Sequence, residues 1–315
     1  MPYERACMLI DIATGIGISN FLLIGGEPTI HPSLIDLLEY LRKKQCKVTV
    51  VTNGIKLADS SFCRHVLPYA DILHFGISLK GSSDEYYWNH CGAAVYHKVK
   101  RGIENCRSNK FDFSLSYVVS AENVNNLCSF AKEIRAAGID EFISFSFCNE
   151  TINSSGEFEE FCKEKHPLWV NKLFAEQYSE LDKILCGKFS LHQTHPLCMC
   201  DKDLIHTMNE RNQIATSCHV HNRAGIIFDT DGSILLCNHF IGYGIGSLGK
   251  DYHDAESFLN FWNSEQLKRL HKKLTNMPSI ECKDCKLQEN CGGGCCIQWF
   301  DHDFKEYKEV YNTLL

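Results

Sequence analysis

Between residues 20 and 150, short apolar runs alternate with stretches in which apolar residues recur every three or four positions. Residues 20–24, 48–51, 72–79, 113–119 and 142–147 have the length and content of buried strands. Between the first two, Leu34, Leu37, Leu38 and Leu41 fall on one face of a helix predicted over residues 32–44. Further helices are predicted over 59–69, 96–106 and 124–137, and one at the start over 2–13, ending near Gly15 or Gly17. Strands and helices alternating at this pace predict an α/β fold, a parallel sheet covered by helices and either open or closed as a barrel. In such sheets ligands bind at the carboxyl ends of the strands. Residues 25–29, 52–54 and 78–81 all fall at such ends.

The pattern changes after residue 150. Residues 151–195 read as a polar loop and a long helix, a helical bridge between a first part at 1–150 and a last part at 196–315. The last part predicts a helix over 201–211 and then a hairpin. Ile226-Ile227-Phe228 and Ser233-Ile234-Leu235-Leu236 are its strands, and Asp229-Thr230-Asp231-Gly232 is its turn. Asp229 and Asp231 read as turn residues, and Phe258, Phe261 and Trp262 as packing. His219, His221 and His239 flank cysteines and read as surface groups or as supports for metal ligands.

Composition sharpens the division. The 315 residues contain 18 cysteines, and nine of them lie between Cys198 and Cys296. The earlier ones stand mostly alone and read as small buried hydrophobes. A disulfide scaffold belongs to short secreted chains, and the N-terminus, Met1-Pro2-Tyr3-Glu4-Arg5-Ala6-Cys7, lacks the basic and apolar regions of a signal peptide. No apolar run approaches the ~18 residues of a membrane span, and a net charge of -7 offers no footprint for nucleic acid. The expectation is a cytoplasmic protein with neither membrane nor nucleic acid as partner.

Two constellations carry chemistry. Gly25-Gly26-Glu27-Pro28 follows a strand directly, so two glycines permit close backbone approach and Glu27 offers an acceptor for a cationic group such as an amine. The second begins at Cys218, runs through Gly232 to Cys237, and resumes as Cys282-x2-Cys285-x5-Cys291-x3-Cys295 with Gly292-Gly293-Gly294 in the last gap. Thiolates spaced by short glycine-rich loops converge on soft iron or zinc.

The wider string Leu22-Leu23-Ile24-Gly25-Gly26-Glu27-Pro28-Thr29-Ile30-His31-Pro32 resembles radical S-adenosylmethionine (SAM) enzymes, as do Val51-Thr52-Asn53-Gly54 and Ile77-Ser78-Leu79-Lys80-Gly81. The resemblance implies a partial (β/α)6 TIM-like barrel, here without its first strand. Gly25, Gly26, Glu27, Pro28, Asn53 and Ser78 would then hold SAM, Glu27 by its amino group. The cysteine spacing resembles the SPASM module of radical SAM maturases, which implies one or two auxiliary 4Fe–4S clusters. By that resemblance Cys218, Cys237 and Cys295 serve the first cluster, with Cys198 or Cys200 completing it, and Cys282, Cys285 and Cys291 serve the second. The family's CxxxCxxC loop for the catalytic cluster occurs nowhere in these residues. The expectation is therefore an incomplete chain of an enzyme, with its catalytic ligands unassigned. The implied activity is hydrogen abstraction from a peptide or protein by a 5′-deoxyadenosyl radical, with flavodoxin or ferredoxin as reductant. A non-catalytic iron–sulfur or electron-transfer protein is the alternative, and a structural zinc protein a third.

Overall fold

The computed structural model describes residues 1–149, 151–152, 158–159, 167–192, 195–215, 218–301 and 303–314. The chain divides into two compact units: 1–118 with 129–144, and 119–128 with 145–315. The boundary at 144/145 lies near the expected 150, and the expected bridge and cysteine-rich part fall in the same unit. Residues 153–157 and 160–166 of that bridge lie outside the described residues.

In the first unit, α1 (Tyr3–Gly15) leads into β1 (Asn20–Leu23), α2 (Leu34–Lys43) and β2 (Lys47–Thr52). Then come α3 (Ser60–Val66) and β3 (Leu73–Leu79), α4 (Asp84–Cys91) and α5 (Tyr96–Asn109), and β4 (Asp112–Val119). α6 (Leu127–Ala136) and β5 (Ile143–Phe147) continue the alternation, with residues 127–128 and 145–147 assigned to the second unit. β1 to β4 pair in sequence order and in parallel, with Leu23 opposite Val50, Thr52 opposite Ile77 and Leu79 opposite Tyr117. Sequential parallel pairing sets the carboxyl ends of β1, β2 and β3 side by side, and the polar segments 25–29, 53–54 and 80–81 leave the sheet along one edge.

Residue type explains these elements. α2 buries the four leucines of its predicted face. β3 buries Leu73, Phe75, Ile77 and Leu79 on one side and leaves the alternate positions half-buried, as a strand's two-residue period requires. Asp59 caps α3 by accepting the Ser61 amide at 2.8 Å. α4 is absent from the sequence prediction, which passes from residue 81 to the helix at 96. Its segment, Asp84-Glu85-Tyr86-Tyr87-Trp88-Asn89-His90-Cys91, buries only Tyr87, so it has no apolar stripe to detect. The missed signal is the cap: Ser83 accepts the Tyr86 amide at 3.1 Å and two acids occupy the first turn.

α5 approaches the turn after β2 so closely that a Cβ at Gly102 would lie 2.5 Å from the Gly54 carbonyl oxygen and 3.0 Å from the Leu57 Cβ. Gly102→Ala is expected to destabilise the first unit by about 1–3 kcal/mol, the cost of overpacking against backbone, despite alanine's better helix propensity. A thermal melt followed by circular dichroism checks this; an unchanged or raised midpoint would count against the close packing.

In the second unit, β6 (Thr151–Ile152) and β7 (Phe158–Glu159) pair antiparallel. α7 (Pro167–Leu185) and β8 (Phe189–His192) follow. α8 (Lys202–Glu210) is capped by Asp201, and β9 (Ile214–Ala215) pairs in parallel with β8. After α9 (His219–Asn222) the expected hairpin forms from β10 (Ile227–Phe228) and β11 (Ser233–Leu235), and β12 (Gly244–Ser247) adds a third antiparallel strand. Asp231 accepts the Ser233 amide at 2.8 Å, a turn role as read from the sequence. α10 (Ala255–Trp262) brings Phe258 against Phe228 and Tyr252, with Trp262 stacked on Phe258, so these aromatics are packing. α11 (Glu265–Leu274), α12 (Gln288–Cys291), α13 (Gln298–Asp301) and α14 (Phe304–Leu314) close the chain. Among the described residues no helix is long and apolar enough to cross a membrane.

Candidate cofactor and metal sites

The first site lies in the first unit. Glu27 leaves β1 in extended backbone conformation and its side chain turns back over the neighbouring strand end. Oε1 accepts the Thr29 amide at 3.1 Å, the Thr29 hydroxyl, and the Thr52 hydroxyl at 2.7 Å. Among the described residues Oε2 accepts only the Asn53 amide, at 2.8 Å. Each carboxylate oxygen offers about two acceptor directions, so Oε1 is saturated and Oε2 keeps one open. Four donors fix the carboxylate before any ligand arrives. Thr29 and Thr52, which the sequence did not single out, are the residues that aim it.

Around Glu27 the backbone is bare. A Cβ built on Gly25 or Gly26 would meet nothing within 4 Å. Pro28 opens the short 3-10 turn Pro28–Ile30. Asn53 Oδ1 accepts the Ile55 amide at 3.0 Å, which leaves its amino group to face outward. Glu27 and Asn53 line a cleft of about 630 Å³ with Ile30, Lys56, His97 and Arg101. Ser78 is placed differently: its hydroxyl pairs with that of Ser116 at 3.3 Å across the β3–β4 register. The structure thus brings Glu27 and Asn53 together and sets Ser78 on the neighbouring strand.

The second site lies in the second unit. The described cysteines form no disulfide with one another. Cys218 and Cys237 pack, with Cys295, against an apolar cluster of Val220, Phe240, Leu274, Cys296 and Ile297. Each of the first two stands at the start of a short helical turn. Burial pushes the Cys237 thiol up to about 11, opposed by the His239 and Asn238 amides and reinforced by Cys295 and Cys218. Burial likewise raises Cys218, against the amides of His221 and Val220. Backbone amides aimed at a sulfur favour its thiolate form. A hydrogen bond with Cys295, together with burial, raises Cys296 far above an ordinary thiol.

Around Cys291 a second set gathers. Its Sγ accepts the Leu197 amide at 3.2 Å. Partial burial of its sulfur, together with the charges of Cys291 and Cys282 and against that of Lys308, brings the neighbouring Cys198 up to about 11. Cys285 is exposed. The expectation that Cys198 or Cys200 joins Cys218, Cys237 and Cys295 meets a different arrangement here, since the thiols acting on Cys198 are Cys291 and Cys282. The loop between Cys291 and Cys295 explains how the segments converge. Gly292, Gly293 and Gly294 have φ values of 58°, 81° and 82°, and a Cβ on each would lie 2.6–2.7 Å from His221, Pro278 and Pro196 respectively. Three segments therefore close on one glycine run.

Thiols that raise one another's pKa are the groups a cation relieves, because coordination demands the thiolate. Among the described residues no three His, Cys, Asp or Glu side chains converge on a single ion. A zinc ion holds all its ligands within about 2.0–2.3 Å of one point, whereas the thiolates of an iron–sulfur cluster each bind a different iron and stand further apart.

A strand-end carboxylate braced by its neighbours and a bare glycine turn stand at the strand ends of a parallel α/β unit, and residues 1–134 match the model of the Radical SAM superfamily. Among curated relatives, a tungsten-containing aldehyde ferredoxin oxidoreductase cofactor-modifying protein of Pyrococcus furiosus is 21% identical over 301 residues, covering 92% of this chain and 80% of that protein. The mycofactocin maturase MftC of Mycobacterium ulcerans is 32% identical over 171 residues, 53% of this chain and 44% of that one. The Fe-coproporphyrin III synthase of Methanosarcina barkeri is 28% identical over 126 residues, 39% of this chain and 31% of that one. The chain thus spans less than half the length of two of these three relatives. Among solved structures, anSMEcpe with bound AdoMet superposes with a TM-score of 0.67 at 18% identity, over 100% of this chain and 87% of that one. Streptococcus suis SuiB bound to precursor peptide SuiA gives 0.63 at 17% identity, over 94% and 65%. These likenesses show the fold: α/β, of the partial-barrel type, followed by a cysteine-rich region.

Proposed function

We propose that this chain supplies the SAM-binding and auxiliary-cluster parts of a radical SAM enzyme that modifies a peptide or protein. The braced Glu27 carboxylate, with one acceptor direction of Oε2 open beside a bare glycine turn, carries this reading. The superfamily match and the peptide-bound relatives support it. SAM, bound with a reduced 4Fe–4S cluster, supplies the 5′-deoxyadenosyl radical for hydrogen abstraction. The chain's own residues bind and orient. Glu27 Oε2 takes the methionyl ammonium, Gly25 and Gly26 let SAM approach the backbone, and Asn53 offers its amino group as a donor. Ser78 sits one strand further along the same edge, where it serves the rest of the ligand. Cys218, Cys237 and Cys295 hold one auxiliary cluster and Cys282, Cys285 and Cys291 hold a second, in a cytoplasmic protein reduced by a flavodoxin or ferredoxin.

Glu27→Gln tests the SAM site. Both carboxylate oxygens accept hydrogen bonds, so either orientation of the amide sets its amino group against a donor and removes the charge that meets the ammonium. SAM affinity is expected to fall at least about tenfold, or 1.4 kcal/mol, by equilibrium dialysis against the iron-loaded parent. Joined to a CxxxCxxC segment from a relative such as MftC, the parent is expected to form 5′-deoxyadenosine on reduction and the variant to form far less. Equal affinity in parent and variant would mean that SAM is held elsewhere. A joined, iron-loaded and reduced parent that forms no 5′-deoxyadenosine would favour a non-catalytic iron–sulfur protein.

A further inference from the structure

Cys282, Cys285 and Cys291 are three thiols of the cysteine motif, while a cubane cluster takes four protein ligands. The structure brings a distant segment to them. The Leu197 amide donates to Cys291 Sγ at 3.2 Å across 94 residues of sequence. A Cβ at Gly294 would lie 2.9 Å from the Pro196 nitrogen, so only glycine there lets residues 196–198 settle onto the motif loop. Leu197 and Cys200 are buried in one apolar cluster against which Cys291 packs. Between these two anchors Cys198 remains exposed.

Cys200 is already committed. It is almost fully buried, its Sγ receives the Asn171 amide group at 3.0 Å, and it donates to the Pro196 carbonyl. Among the described residues Cys198 has no such ties, and the groups around its thiol are Cys291, Cys282 and the ammonium of Lys308.

We propose that Cys198 is the fourth thiolate of the centre formed by Cys282, Cys285 and Cys291, an assignment that rests on the auxiliary-cluster reading given above. The Pro196–Cys198 segment then reaches the centre from upstream through the contact of Leu197 with Cys291.

The test uses the full chain, reconstituted anaerobically with iron and sulfide, and three variants: Cys198→Ser, Cys200→Ser and Cys285→Ser. Cys198→Ser and Cys285→Ser are expected to show the same loss, up to four of about eight irons per chain, with a three-iron EPR signal from the oxidised remnant. Cys200→Ser is expected to keep the parent's iron. A second measurement needs no variant: Cys198 is expected to resist alkylation in the iron-loaded parent and to be labelled, by mass spectrometry, once a chelator has removed the iron. A parent that loads iron, with Cys285→Ser impaired and Cys198→Ser unimpaired, would overturn this assignment alone. So would equal labelling of Cys198 with and without iron. A parent that binds stoichiometric zinc and no iron would overturn the cluster reading as well.

Discussion

Gly294→Ala is expected to abolish most iron loading and to lower the stability of the second unit by about 2–5 kcal/mol, two costs acting at one atom. The first is conformational: at φ 82° an L-residue pays roughly 1–2 kcal/mol. The second is steric, because the new Cβ would lie 2.7 Å from Pro196 Cδ and 2.9 Å from its nitrogen, and neither a ring nor a backbone atom yields cheaply. Gly249 is the control. It has φ 83° but nothing within 4 Å of its would-be Cβ, so Gly249→Ala carries the conformational cost alone. Denaturant unfolding and iron analysis of both variants decide the matter; equal effects would mean that the contact with Pro196 does not matter.

Cys291→Ala is expected to halve bound iron, from about eight to about four per chain. Iron–sulfur ligation is also folding energy, because the ligand set does not exist in the unfolded chain. Cys291 in addition accepts the Leu197 amide, so its loss frees the segment that joins residues 195–200 to the motif loop. Limited proteolysis with mass spectrometry is expected to show cleavage after residue 195 while residues 20–118 stay resistant. The reason for that contrast is local: the first unit is held by parallel strand pairs and a leucine-lined helix, none of which includes a cluster thiol. Identical digestion of parent and variant would argue that the cysteines do not couple to the fold.

The sequence was most legible where burial imposes a period. β2 and β3 alternate, α2 repeats its leucines, and their boundaries fall within two residues of the prediction. α4 escaped because a solvent-facing helix with one buried tyrosine leaves no period, only a cap. The Glu27 turn was legible as a short motif beside a strand end. Its bracing was not, since Thr52 comes from another strand and its partnership with Glu27 exists only once β1 and β2 pair. The grouping of thiols was the least legible part. The resemblance to the SPASM module suggested that Cys198 or Cys200 joins Cys218, whereas the contact of Leu197 with Cys291 spans 94 residues and lies beside three glycines that admit no side chain.

The order of those thiols along the chain has a consequence for biosynthesis. On the ligand sets proposed here, the first group needs Cys295 and the second needs Cys291, yet the earliest member, Cys198, leaves the ribosome 93 residues before Cys291. At about 5–20 residues per second, that interval lasts roughly 5–20 seconds. During it Cys198, Cys218 and Cys237 are made with no completed site to enter, while the parallel-sheet unit ahead of them already has the strands it needs. Cluster delivery is therefore a step that follows synthesis of Cys291 and Cys295, to a chain whose first unit has folded, and a cell short of cluster-assembly capacity would accumulate a half-folded intermediate with a protease-sensitive cysteine-rich region.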